Sequence, residues 1–76
     1  MLKFSLKYEE GNETVERTLV LKGLGFYIET EDGLKNPFFY ANGEVIKDCC
    51  NTLVETGKDH IIKTTKSGIK YEVTEM

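Results

Sequence analysis

The sequence predicts an α+β domain in the order ββββαββ, a mostly antiparallel sheet packed on one helix over Glu44–Thr56. Three observations carry that reading. Most of the chain alternates polar and apolar residues with a period of two, as half-buried strands do. Successive alternating runs are separated by short glycine-bearing turns at hairpin spacing. One stretch alone repeats its apolar residues at three- and four-residue steps: Val45, Ile46, Cys49, Cys50, Leu53 and Val54. That spacing collects them on one side of a helix, with Glu44, Lys47, Asp48, Asn51, Thr52 and Glu55 opposite.

Taken in order, Leu2, Phe4, Leu6 and Tyr8 alternate with Lys3, Ser5, Lys7 and Glu9, the clearest strand in the chain. Glu10-Gly11-Asn12-Glu13 is a turn, and a second strand covers Thr14 to Lys22. Val15, Leu19 and Leu21 share one face of it; Arg17 falls on that face and is expected at the sheet margin or snorkelling past it. Gly23-Leu24-Gly25 opens a second hairpin, whose Asp32-Gly33 turn follows Phe26–Thr30. The return strand is expected over Leu34–Ala41, with Pro37 placing it at an edge or breaking it with a bulge.

Asn42-Gly43 supports two structures. It is a strong hairpin turn, and it is equally a helix start with Asn42 as cap. The apolar stripe persists for more than two turns and Gly57 stands where a helix should end, so the helix is the reading adopted. A third hairpin closes the chain: His60–Thr64, a turn over Thr65-Lys66-Ser67-Gly68, and Ile69–Thr74. No repeat, linker or low-complexity tract interrupts residues 1–76, so a single domain is expected, near the lower size limit for folding without a staple.

Composition narrows the function. A net charge of −3 disfavours general attraction to nucleic-acid phosphates or anionic membranes. No apolar run has bilayer-spanning length, and the N-terminus lacks the continuous apolar segment of a secretory signal, so a cytoplasmic protein is expected. A core this small leaves little room for a deep substrate pocket. No cofactor and no small-molecule substrate are evident, and the chain is expected not to be an enzyme.

Cys49 and Cys50 are adjacent, with Cα atoms about 3.8 Å apart, closer than a disulfide normally spans. Two reduced thiols on the apolar stripe are expected, as packing residues. A thiol or metal protein using Cys49, Cys50 and His60 is an alternative that needs both thiols aimed at one point, which adjacent helical residues about 100° apart do not favour. A nucleic-acid-binding module using Lys63, Lys66 and Lys70 of the C-terminal hairpin is a further alternative, with Phe39, Tyr40 and Tyr71 to stack bases.

The reading adopted is a small non-catalytic interaction protein, an inhibitor or adaptor that binds another protein, or itself as a homodimer, through a sheet face or edge. One helix covers one sheet face. Alternation then puts Val20, Tyr27 and Phe39 on the uncovered face, beside the acidic Glu29, Glu31 and Asp32. Those six residues are the expected partner-binding set.

Overall fold

Residues Leu2–Glu10 and Glu13–Lys22 form β1 and β2, a long antiparallel hairpin with Leu2 opposite Leu21 and Tyr8 opposite Val15. A second hairpin joins β3, Gly25–Thr30, to β4, Gly33–Lys35. The helix α1, Gly43–Thr56, follows, and a third hairpin pairs β5, His60–Thr64, with β6, Lys70–Glu75. The structure is a computed structural model and describes residues 1–76. Its one antiparallel sheet has the strand order β4-β3-β2-β1-β6-β5, so the predicted α+β architecture and element order hold.

The first strand is central because the last returns beside it, Leu6 opposite Val73 and Tyr8 opposite Tyr71. The period-two pattern then sorts each row of side chains to one side. Phe4, Leu6, Tyr8, Leu19, Ile28, Ile61, Tyr71 and Val73 point toward α1 and meet Val45, Ile46, Cys49 and Leu53 in one core. Leu6, Leu19, Val45, Cys49 and Val73 have no solvent exposure at all. Each large apolar side chain so enclosed contributes roughly 1.5–3 kcal/mol.

The helix starts at Asn42-Gly43, which therefore is no hairpin turn. Asn42 is the cap, its Oδ1 accepting from the amides of Glu44 at 3.0 Å and Val45 at 3.2 Å. Gly57 ends the helix in the left-handed conformation, φ 63°, its amide donating to the Leu53 carbonyl. The expected stripe is too wide by one residue. Val54 is exposed, because it lies nine residues from Val45 and so about 180° around the helix.

The expected return strand Leu34–Ala41 is cut short. β4 stops at Lys35, and Pro37–Phe39 form a 3-10 turn instead. Pro37 has no amide to continue the ladder, and the Asn36 side chain accepts from the Phe38 amide at 2.9 Å, which starts the turn.

Candidate protein-binding groove

The face of the sheet away from α1 is not the aromatic patch that alternation implied. Val20 lies on it, between Lys3 and Tyr27 in the register, yet it is completely buried. Charged side chains roof this face in pairs: Lys3 with Glu29 at 2.6 Å, Lys7 with Glu16 at 3.6 Å, His60 with Glu72 at 2.8 Å. Tyr27 lies back over Gly25, close enough that a Cβ there would sit 2.9 Å from the phenol oxygen. Glu31 and Asp32 occupy the β3–β4 turn. Phe39 is elsewhere, carried off the sheet by the 3-10 turn and 83% exposed. The six residues expected to form one binding surface are thus divided between a polar sheet face, a hairpin tip and a separate aromatic projection.

The structure also separates the alternative sites. Cys49 and Cys50 are on α1, whereas His60 pairs with Glu72 on the opposite side of the sheet. Cys49 is wholly buried and donates to the Ile46 carbonyl; interaction with Cys50 and burial push its thiol pKa up. Of the three lysines, Lys63 faces α1 and pairs with Asp48 at 3.0 Å, Lys66 is in the β5–β6 turn, and Lys70 is on the far face. They form no common stripe.

What the fold does assemble is a groove at the β4 side of the helix. One flank of α1 is already occupied, because Asp48 accepts from the Tyr71 hydroxyl at 2.7 Å and from Lys63. Glu44 accepts from the Ser67 amide at 3.1 Å, the Ser67 hydroxyl and the Thr65 hydroxyl. These bonds tie the helix to the β5–β6 hairpin and draw it toward that side of the sheet. Burial raises the Asp48 pKa, but the Tyr71 and Lys63 hydrogen bonds outweigh it and hold the carboxyl below its usual range. Hydrogen bonds from Ser67 hold Glu44 low.

The opposite flank of α1, carrying Ile46, Lys47, Cys50 and Asn51, overhangs an open recess of about 500 Å³. Its other walls are Phe26 and Tyr27 of β3, Leu34 at the end of the sheet, and Pro37 and Phe38. Phe38 is seated on the first turn of the helix, its ring 3.4 Å from where a Gly43 Cβ would stand. Phe38, which lines the recess, and the adjoining Phe39 and Tyr40 stay exposed, and Leu24 stands fully exposed in the β2–β3 turn. The 3-10 segment is held at its C-terminal end. The Arg17 guanidinium, on the α1 side of β2, reaches up to the Tyr40 carbonyl at 2.7 Å. The Tyr8 hydroxyl accepts the Asn42 amide at 2.9 Å.

Phe26, Phe38 and Lys47 were missed as site residues by the sequence reading, and Cys50 was weighed only with Cys49 and His60 as a thiol or metal site. The signal that could have found them was Asn36-Pro37, a turn-initiating pair lying inside the presumed strand. Taking it at face value lifts Phe38 and Phe39 off the sheet and leaves a gap beneath them. No helix is long and apolar enough to cross a membrane. No family model matches the chain, and neither a curated protein nor a solved structure matches it, so its own surface carries the functional reading.

Proposed function

We propose that this protein is a small binding module that engages another protein through the groove between α1, the 3-10 turn and the free end of β3. The observation that supports it best is the run of exposed aromatic residues Phe38, Phe39 and Tyr40, the first of which lines an apolar recess. Aromatic side chains beside a concave apolar surface are the anchors and pockets from which protein interfaces take most of their energy. Nothing in the fold needs Phe39 exposed. It is 83% exposed and stands outside the hydrophobic core. The recess is open and shallow, a shape suited to a side chain of a partner.

Site-specific photo-crosslinking tests this reading. A crosslinking phenylalanine analogue is placed at Phe39 and, as a control, at Thr18 on the polar sheet face. Crosslinks from Phe39 to a discrete protein of the native host, competed by excess unmodified protein but not by the Phe38→Ser/Phe39→Ser variant, are the expected result. Equal crosslinking from Thr18, or none from Phe39, sinks the proposal. The Phe39→Ser change alone should move the melting temperature by only about 3 °C, ~0.5 kcal/mol for an exposed site, and the Phe38→Ser change by more, since that ring packs on the first turn of α1.

A further inference from the structure

The groove ends on a piece of sheet edge whose backbone is unsatisfied. β3 pairs with β2 from Leu19–Ile28 to Lys22–Gly25, but with β4 only at Ile28, Glu29 and Thr30. In an antiparallel ladder, alternate residues direct their amide and carbonyl to the same neighbour. Thr30 and Ile28 direct theirs to β4, opposite Gly33 and Lys35. Phe26, two residues further, directs its own the same way, and there β4 has already left the sheet. Neither group appears in the non-ladder backbone bonds that the turns and caps make. An outward-facing N–H and C=O beside an apolar recess form the start of a strand-addition site.

Charge says what kind of strand. The only charged residue lining the recess is Lys47. Lys35, the last residue of β4, is on the α1 side of the sheet opposite Ile28, outside the lining of the recess. Neither lysine makes an ion pair, whereas Lys3, Lys7 and Lys63 all do. Glu44 and Asp48 border a neighbouring hollow with Lys47, but their carboxylates are engaged by Thr65, Ser67, Tyr71 and Lys63 on the other flank of α1. Glu31 and Asp32 are at the hairpin tip, about 10 Å beyond Lys35 at strand spacing. β5 offers a longer free edge, but it has no apolar recess beside it on the helix side, where Lys63 pairs with Asp48.

We infer that the groove captures a short extended segment of a partner protein, hydrogen-bonded to the Phe26 backbone, with an apolar side chain in the recess and an acidic side chain at Lys47. The inference rests on the groove being the binding site, and it adds the partner's conformation and charge.

The test uses the full chain and a labelled octapeptide alternating valine with glutamate. Its lysine-for-glutamate counterpart and a version N-methylated at alternate amides are the comparisons. The glutamate peptide should bind and shift the amide resonances of Phe26 and Cys50. The other two should each bind at least about tenfold more weakly, a difference of ~1.4 kcal/mol. Lys47→Glu should reverse the charge preference. Equal binding of the lysine peptide overturns the charge assignment. Equal binding of the N-methylated peptide, with Phe38 and Cys50 still shifted, overturns strand capture while leaving the groove as a binding site. A concentration-dependent dimer that protects Phe26 from exchange and is lost in Lys47→Glu names a second copy as the occupant and overturns the acidic partner. Absence of any shift with the glutamate peptide overturns the inference, and the Phe39 crosslinks then decide separately whether the groove binds protein at all.

Discussion

The hydroxyl of Tyr8 accepts the backbone amide of Asn42 at 2.9 Å, joining the central strand to the residue that caps the helix, 34 positions away in sequence. One residue thereby has three duties. The Asn42 side chain satisfies two amides of the first helical turn, its Nδ2 donates to Glu10 at 3.2 Å, and its own amide is satisfied by the sheet. Tyr8→Phe keeps the ring in the core and leaves that amide without a partner, which should cost about 1–2 kcal/mol. Asn42→Ala should cost a similar ~1 kcal/mol through the lost cap. Urea unfolding of the two single variants and the double variant measures both. Because Tyr8 bonds the backbone amide of position 42, which alanine retains, while the cap uses the side chain, the two losses should be close to additive.

Gly57 adopts φ 63°, where a Cβ is disfavoured although nothing stands within 4 Å of it. Gly57→Ala should therefore destabilise by about 1 kcal/mol from backbone strain alone. Gly43→Ala, at the helix start with a non-left-handed backbone, meets only the Phe38 ring at 3.4 Å and should change stability less. A thermal melt of each separates strain from packing.

Acid should loosen the join between α1 and the C-terminal hairpin. The Asp48 and Glu44 carboxyls have pKa values lowered from 3.8 and 4.5, so the folded state binds fewer protons than the unfolded chain near those values. For such groups the contribution is complete above the unfolded pKa and is lost as pH falls through the depressed folded value. The loss therefore belongs to the range below about pH 4.5, not to neutral pH. Asp48→Asn should flatten the fall of stability with acid while lowering stability at pH 7, since Lys63 then loses its partner. Urea midpoints between pH 3 and 7 test the slope (~1.4 kcal/mol per proton per pH unit at most).

The two thiols should differ in reaction rate. Cys49 is sealed in the core and Cys50 is half-buried on the groove wall. A soluble disulfide reagent should label one equivalent of thiol in the native protein and the second only with denaturant or global unfolding. Cys49→Ser should leave the faster phase in place; Cys50→Ser should remove it. A ligand in the groove should slow the Cys50 phase, which makes this thiol a reporter of occupancy.

Leu6 has no solvent exposure and packs at the centre of the sheet, in register with Val73 on one side and Arg17 on the other. Leu6→Ala should cost 2–5 kcal/mol. In a chain of 76 residues that is a large part of the total stability, so the variant is expected to be partly unfolded at 25 °C by circular dichroism.

Local chemistry was enough to determine most elements of this protein, the exception being the strand expected over Leu34–Ala41, where β4 ends at Lys35. The i, i+3, i+4 stripe, Asn42 and Gly57 defined the helix, and glycine turns between alternating runs defined three hairpins, because each signal acts within a few residues. Tertiary structure decided the rest. Which strand lies beside β1 depends on β6 returning from 60 residues away, and no local pattern encodes that partner. Val20 is buried on the face that the helix leaves uncovered because Lys3, Glu29 and Tyr27 close over it, a consequence of register across three strands. Phe39 left its alternating position because Pro37 could not continue the ladder, and Asn36 offered the backbone a turn instead. The groove exists because the hydrogen bonds of Glu44 and Asp48 hold α1 to the β5–β6 hairpin while β4 ends early on the other side. Residues 20 or more apart must meet before such a space has walls, and a linear pattern records no such meeting.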